Sequence, residues 1–408
     1  LLFTITTQGI KMRKLYYCGL EQLESRYTLQ LQNWNERVFD KREISYVSVL
    51  GKNLDDKKQI VTGSVLDAHG RTYYSMTQMA ELVKLMQQGE ITNQDVIFFE
   101  DMFTPGIESL AYIMDQVEDC YKPKVFVRCL AQTFDPDDFV IREGMFKWMR
   151  KFEEMTAAFV DGIIVANEEF VAHLRIAGIE CPIYVSGLPF GKEEVASRMP
   201  TNRPLKERTK RVTFAARWDD EKQPHFFMDL IEEVYKTHPE IEFCVCTGGP
   251  RLKGNNEAAI VRAREMEYSK KANFKIYQNL KKDDYYRILA DTTVLFNCAL
   301  QDWTSNTVSE ADTLGALTLY PAYRSFPEVF ANNHKHLYAP WSIDDAIEKL
   351  CAMFCDVESD NLDSYSIGKI SDWQNGTIDR TLDIMLGNGE HWRRNGNDYR
   401  KHVATHKF

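Results

Sequence analysis

The chain has 408 residues, 44% of them hydrophobic and 27% charged, with a formal net charge of −10. A single core seldom organises more than about 250–300 residues, so two domains are expected, and this composition excludes extensive disorder. The acidic balance argues against a general nucleic-acid coat, and no apolar run approaches the roughly 20 residues needed to span a bilayer.

The opening LLFTITTQGIKMRK has neither a basic leader nor a small-residue cleavage pattern. Met12 therefore reads as the native start and residues 1–11 as an upstream extension. Six short apolar runs then read as strands: KLYYCGL (14–20), ISYVSVLG (44–51), DVIFFED (95–101), KVFVRCL (124–130), DGIIVAN (161–167) and PIYVSGL (182–188). Between them, segments such as LESRYTLQLQNWNERVF (23–39) and NEEFVAHLRIAG (167–178) read as helices. The strands are nearly continuous in apolar residues, as in parallel sheets covered on both faces.

A polar, basic stretch follows, SRMPTNRPLKERTKR (197–211), with two prolines and no apolar period; it reads as the interdomain linker. The second half repeats the alternation: RVTFAAR (211–217), IEFCVCTGG (241–249), NFKIYQNL (273–280), TTVLFNCAL (292–300), ALTLYPA (316–322) and KHLYAP (335–340). The expected fold class is α/β. Two doubly wound Rossmann-like domains, 12–196 and 212–375, face a central cleft, and a helical segment, 376–408, is placed to cross back to the first domain.

Nine cysteines fall at no metal or redox spacing, which points to a reducing cytoplasm. Two basic patches stand apart from the linker: REGMFKWMRKF (142–152) and the tail from His391. Each reads either as a solvated helix face or as a phosphate contact.

Chemistry concentrates in the second half. FAARWDDEKQP (214–224) places Arg217 and Lys222 on a loop between a strand and a helix, where a planar fork and a point charge could meet a diphosphate. Solvated charge is the alternative for either residue alone. QDWTSNTVSEADTLGALTLYP (301–321) then sets Asp302 on a loop and Glu310 inside a helix, with seven residues between them. Ser305, Asn306 and Thr307 open that helix and can turn backbone N–H groups towards a phosphate. DPD (135–137) satisfies an Asp-x-Asp pattern, but it reads better as a turn than as a metal site.

Together these segments resemble the family 4 glycosyltransferases of the GT-B fold along nearly the whole chain. ARWDDEKQP is similar to that family's Gly-Arg-Leu…Lys-Gly segment, and Asp302…Glu310 to its paired acidic motif. VDGIIVANEEFVAHLRIAGI (160–179) and RSFPEVF (324–330) resemble two further family segments. There are departures. The first acid is Asp, the flanking glycines are Trp303, Thr304 and Ser305, and the first-domain histidine beyond the fourth strand is absent. The bulk of Trp303 suggests a restricted sugar pocket. More narrowly, YYCGLEQLESRYTLQLQNW (16–34), VLDAHGRTYY (65–74) and EDMFTPGIESL (100–110) resemble T4-like phage glycosyltransferases that modify 5-hydroxymethylcytosine in DNA, of glucosyl- or arabinosyltransferase type.

The resemblance implies transfer of a hexose, or a pentose such as arabinose, from a nucleotide-sugar, expected to be a UDP-sugar, with retention and with no obligatory metal or cofactor. It places the diphosphate on Arg217 and Lys222, the sugar on Asp302, the ribose on Glu310 and the base against Tyr277, Gln278 and Leu280. Gly19 and Leu20 would turn the first domain towards the donor. The acceptor, expected to be hydroxymethylcytosine in DNA, would meet Arg142, Lys147, Trp148, Arg150 and Lys151, with His69 and Asp135 as further contacts. His173, on a helix face, reads as structural. Two other readings stay open: a glycosyltransferase acting on a glycan, lipid or protein, and an inactive sugar-nucleotide-binding scaffold.

Overall fold

The structure, a computed structural model, describes residues 13–22, 27–54, 67–199, 203–247 and 256–387, except the side chains of 139, 142, 256–260 and 263. The extension 1–11, part of the linker (200–202) and the basic tail from His391 therefore lie outside the described residues, as does the side chain of Arg142.

The first sheet contains β1 (Leu15–Cys18), β2 (Tyr46–Ser48), β3 (Val96–Phe99), β4 (Lys124–Arg128), β5 (Gly162–Val165) and β6 (Ile183–Val185), in the order β2-β1-β3-β4-β5-β6. The second contains β7 (Arg211–Ala215), β8 (Glu242–Thr247), β9 (Phe274–Gln278), β10 (Val294–Phe296), β11 (Leu317–Pro321) and β12 (Leu337–Tyr338), in the order β12-β11-β10-β7-β8-β9. Every pairing is parallel. Most central strands are buried along their whole length, which accounts for their unbroken apolar character. The expected runs at 44–51, 292–300 and 335–340 shrink to three, three and two paired residues, and their flanking residues leave the ladder as loops.

Helix starts follow local chemistry. Asn167 caps the helix Glu168–Ile176 by accepting from Phe170 N, and Ser342 caps Ile343–Glu358. Pro224 sits in the first turn of Pro224–Thr237, where its missing N–H costs nothing. That helix buries Phe226, Phe227, Leu230, Ile231 and Val234 against the second sheet, at the spacing of one helical face.

One apolar cluster runs from Leu15, Phe98 and Phe126 of the first sheet to Leu295, Ala311 and Tyr320 of the second domain. The last described helix, Thr377–Leu386, buries Ile378, Leu382 and Met385 and lies against the first domain. There Arg128 Nη2 donates to Thr381 Oγ1 at 3.1 Å and Arg42 pairs with Asp383 at 2.8 Å.

Candidate active site between the two sheets

In the second sheet the strand order reverses between β7 and β10, which are hydrogen-bonded neighbours. Ligands of open α/β sheets bind outside the carboxyl ends of the strands at such a reversal. The loop after β7 carries Arg217 and Lys222, and the loop after β10 carries Asp302. Lys222 is 7% exposed; its ammonium donates to Gln301 O at 2.5 Å and lies 3.6 Å from Asp302 Oδ2. Solvation alone would leave such a charge in water, so burial decides against solvated charge for Lys222. Arg217 is half-exposed and held by Glu221 at 2.8 Å and Asp219 at 3.4 Å. Directly after Lys222, Gln223 takes a left-handed φ of 49° at the end of the short turn Asp220–Lys222. Strained non-glycine backbone of this kind collects at functional sites.

The helix Asn306–Thr313 begins three residues after Trp303, and no side-chain hydrogen bond caps it. Ser305 Oγ and Thr307 Oγ1 bond to each other at 2.5 Å instead of capping this helix start, where the positive end of the dipole follows the Asp302 loop in the chain. Glu310 is buried further along this helix. It accepts from Lys282 Nζ at 2.8 Å and from Tyr286 OH at 3.1 Å, so ribose hydroxyls would have to join or displace those donors. Lys282 escaped the sequence reading; the basic pair after β9 was its only signal.

The end of β9 splits between two faces. Tyr277 and Leu280 pack against the apolar cluster shared by the domains. Gln278 and Ile276 instead line a cavity of about 340 Å³ with Arg262, Glu265, Met266 and Ser269. Alternation along a strand separates Gln278 from Tyr277, so the two do not face one ligand.

In the first domain the order reverses between β1 and β3. Gly19 follows β1, but Gln32 and Gln78 fill its surroundings. An added Cβ would lie 2.1 Å from Gln32 Oε1, and Gln78 donates to Gly19 O at 2.9 Å. This glycine, with buried Leu20 beside it, serves close packing of two helices on the strand end. His69 is exposed in the first turn of the helix Ala68–Gln87. Arg71, one turn-half further, is buried between Glu21 and Asp101 and fills the first-domain reversal point. Burial pushes the Asp101 carboxyl up to about 6, against the lowering effect of Arg71.

The basic patch lies on the helix Phe146–Phe159. Lys147 and Trp148 are exposed, and the Trp148 ring lies 5.3 Å from Phe103 on the loop after β3. Arg150 and Lys151 share Glu154 at 3.1 and 2.6 Å, and the Arg150 guanidinium lies over the Phe134 ring at 4.1 Å. Two of the expected phosphate contacts are thus already paired within their own helix.

Asp135 and Asp137 meet a cation from the other domain. Arg324 Nη2 lies 3.0 Å from Asp135 and 2.7 Å from Asp137, and Arg324 Nη1 lies 3.7 Å from Glu169. The DPD turn thus serves an interdomain ion pair. Among the described residues no cluster of three His, Cys, Asp or Glu side chains is arranged to hold a metal ion. Beside it, Gln132 Nε2 donates to His173 Nδ1 at 2.8 Å, and the Trp303 ring packs at 4.1 Å on Phe170 and 5.3 Å on His173. Trp303 therefore plugs the junction from the second domain. His173 stands at that junction, with burial lowering its pKa. Burial raises Glu169 to about 6 and Glu328 to about 7.

No model of a known protein family matches the chain, and no curated protein matches it. Solved structures do. A glycosyltransferase from Rickettsia africae ESF-5 is 11% identical, with a TM-score of 0.58 over 97% of this chain and 100% of its own. A sucrose-phosphate synthase from Thermosynechococcus elongatus is 8% identical, with a TM-score of 0.59 over 96% and 100%. An α,α-trehalose-phosphate synthase (UDP-forming) from Burkholderia xenovorans is 10% identical, with a TM-score of 0.56 over 92% and 100%. At these identities the likeness is one of fold, and it spans both domains: the chain has the GT-B fold, two doubly wound parallel α/β domains facing one another.

Proposed function

We propose that the protein is a glycosyltransferase that takes a nucleotide-sugar, a UDP-sugar in our reading, as donor. The observation that carries this is the approach of Lys222 to Asp302, 3.6 Å apart on the loops of two adjacent strands at the reversal point. An uncapped helix start stands beside them. Glycosyl transfer builds negative charge on the departing diphosphate as the glycosidic bond breaks. Lys222, Arg217 and the N–H groups of residues 306 and 307 would stabilise that charge, an effect often worth several kcal/mol per group, on the order of 3. Asp302 would orient the sugar, and Glu310, with Lys282, would meet the ribose. The sugar in our reading is a hexose or a pentose such as arabinose. No metal has a role in this account, and retention of configuration follows from the family resemblance.

The acceptor we propose is the hydroxymethyl group of a modified cytosine in duplex DNA, flipped from the stack to reach the cleft. Support comes from Lys147 and Trp148, exposed at the carboxyl-end rim of the first sheet through the contact with Phe103. The test is mass spectrometry of nucleosides after hydroxymethylated DNA is incubated with the protein and a panel of nucleotide-sugars. A glycosylated nucleoside is expected. Unmodified DNA with turnover on small glycans would move the acceptor to a glycan, lipid or protein, and donor binding without any turnover would indicate an inactive scaffold.

A further inference from the structure

The loop that carries Asp302 is held by its backbone carbonyls, each on a different element. Gln301 O accepts from Lys222 Nζ at 2.5 Å, Asp302 O from Ser325 Oγ at 2.9 Å, and Trp303 O from Asn167 Nδ2 as well as from its own neighbour Thr304 Oγ1 at 2.6 Å. The first two donors stand on loops of the second sheet and stay with Asp302 however the domains move. Asn167 belongs to the first domain.

The same amide has another duty. Its Oδ1 accepts from Phe170 N at 3.0 Å and caps the helix Glu168–Ile176, and the residue is only 2% exposed. Capping needs an acceptor alone, which Ser, Thr or Asp would supply equally well. The N–H of Asn167 is surplus to the cap and is directed across the junction. The next three residues also reach the second domain: Glu168 N to Glu328, Glu169 to Arg324 and the Phe170 ring to Trp303.

We propose that Asn167 is a positioning residue of the transferase site, fixing the Asp302 loop only when the two domains are closed. The inference rests on the donor-site reading above. Separation of the domains takes the N–H from Trp303 O and the apolar wall from its ring, so the loop relaxes and Asp302 loses its register with Lys222. Asn167 contacts neither substrate in this account; it acts through the Trp303 peptide.

Asn167→Asp separates the two duties, because a carboxylate keeps the capping acceptor at a helix start and loses the N–H. Asn167→Ala loses both. The donor for the assay is whichever of a panel of UDP-, GDP- and ADP-sugars the wild-type protein hydrolyses fastest. For Asn167→Asp, the Kd for the matching nucleoside diphosphate should stay at the wild-type value, and the thermal midpoint should fall less than in Asn167→Ala. Its kcat should fall about tenfold or more. Deuterium exchange should quicken in peptides spanning residues 300–313 and not in 168–176. Asn167→Ala should share the kcat loss and add a lower midpoint. Wild-type kcat and exchange in the Asp variant would overturn the proposal. So would a midpoint loss equal to that of the Ala variant, with kcat falling only as the folded fraction falls. A wild-type protein that hydrolyses no nucleotide-sugar would overturn the donor reading instead, and the exchange comparison would still decide whether Asn167 holds the loop.

Discussion

Both carboxylate oxygens of Glu328 accept the backbone N–H of Glu168, each at 3.0 Å, so a side chain of the second domain sits on the first N–H of a first-domain helix. The positive end of that helix dipole favours an anion there. Burial opposes it, and with Glu168 and Glu169 adding like charge it raises Glu328 to about 7.

That balance sets a pH dependence. A carboxyl whose folded pKa is raised binds its proton more tightly in the folded state, so its contribution to stability is present at low pH and lost as pH rises. For Glu328 the loss should run from the ordinary glutamate range, about 4.3, up to about 7. The thermal midpoint of Glu328→Gln, which cannot ionise, should fall less between pH 5 and pH 7.5 than that of the wild type. Parallel pH profiles would remove Glu328 from this role.

Arg217 and Lys222 should separate in stability while agreeing in turnover. Arg217 is half-exposed, so Arg217→Ala should leave the thermal midpoint nearly unchanged. Lys222→Ala strips Gln301 O and Asp302 of a buried cation, which costs about 1–3 kcal/mol of stability. Both variants should lower kcat far more than they weaken binding of the nucleoside part. Thermal melts and steady-state kinetics on the two proteins check this, and unchanged kcat in both would mean the diphosphate lies elsewhere.

Glu310→Gln should weaken binding of the nucleoside diphosphate. An ionised acceptor of ribose hydroxyls becomes neutral, and hydrogen bonds to charged groups are worth about 1.5–3 kcal/mol, so a loss of roughly tenfold or more is expected. Lys282→Met should move affinity too, because Lys282 orients the Glu310 carboxylate from 2.8 Å. Calorimetry that finds wild-type affinity in both variants takes this pair out of the ribose site.

The DNA reading predicts a salt dependence smaller than the count of basic residues suggests. Lys147 is exposed, whereas Arg150 and Lys151 share Glu154. Lys147→Gln should reduce the slope of log affinity against log salt by about 0.9, the value of one phosphate contact. Trp148→Ala should cut modification of hydroxymethylated DNA while leaving donor hydrolysis intact. A wild-type slope in Lys147→Gln would place the DNA away from this helix.

The central strands were legible because they are buried on both faces and so write short unbroken apolar runs, as in Val96–Phe99 or Leu317–Pro321. Lys222 and Asp302 were legible as members of spaced motifs, and their strands prove to be neighbours at the reversal point. The interdomain partners were not. Arg324 and Asp137 are 187 residues apart and Asn167 and Trp303 are 136 apart, and no local pattern ties an Arg on one loop to acids on another domain. His173 read as structural, but a helix face says nothing of the Trp303 ring that docks upon it. Gly19 read as turning the first domain towards the donor, and a sequence does not reveal that Gln32 and Gln78 occupy the space around it.

The most direct test of the central claim is release of nucleoside diphosphate from a panel of UDP-, GDP- and ADP-sugars by the wild-type protein and by the double variant Arg217→Ala/Lys222→Ala. Saturable release is expected from at least one donor, a UDP-sugar first, with kcat of the double variant lower by a hundredfold or more, about 3 kcal/mol of leaving-group stabilisation. Release from no donor, or equal release by both proteins, would contradict it.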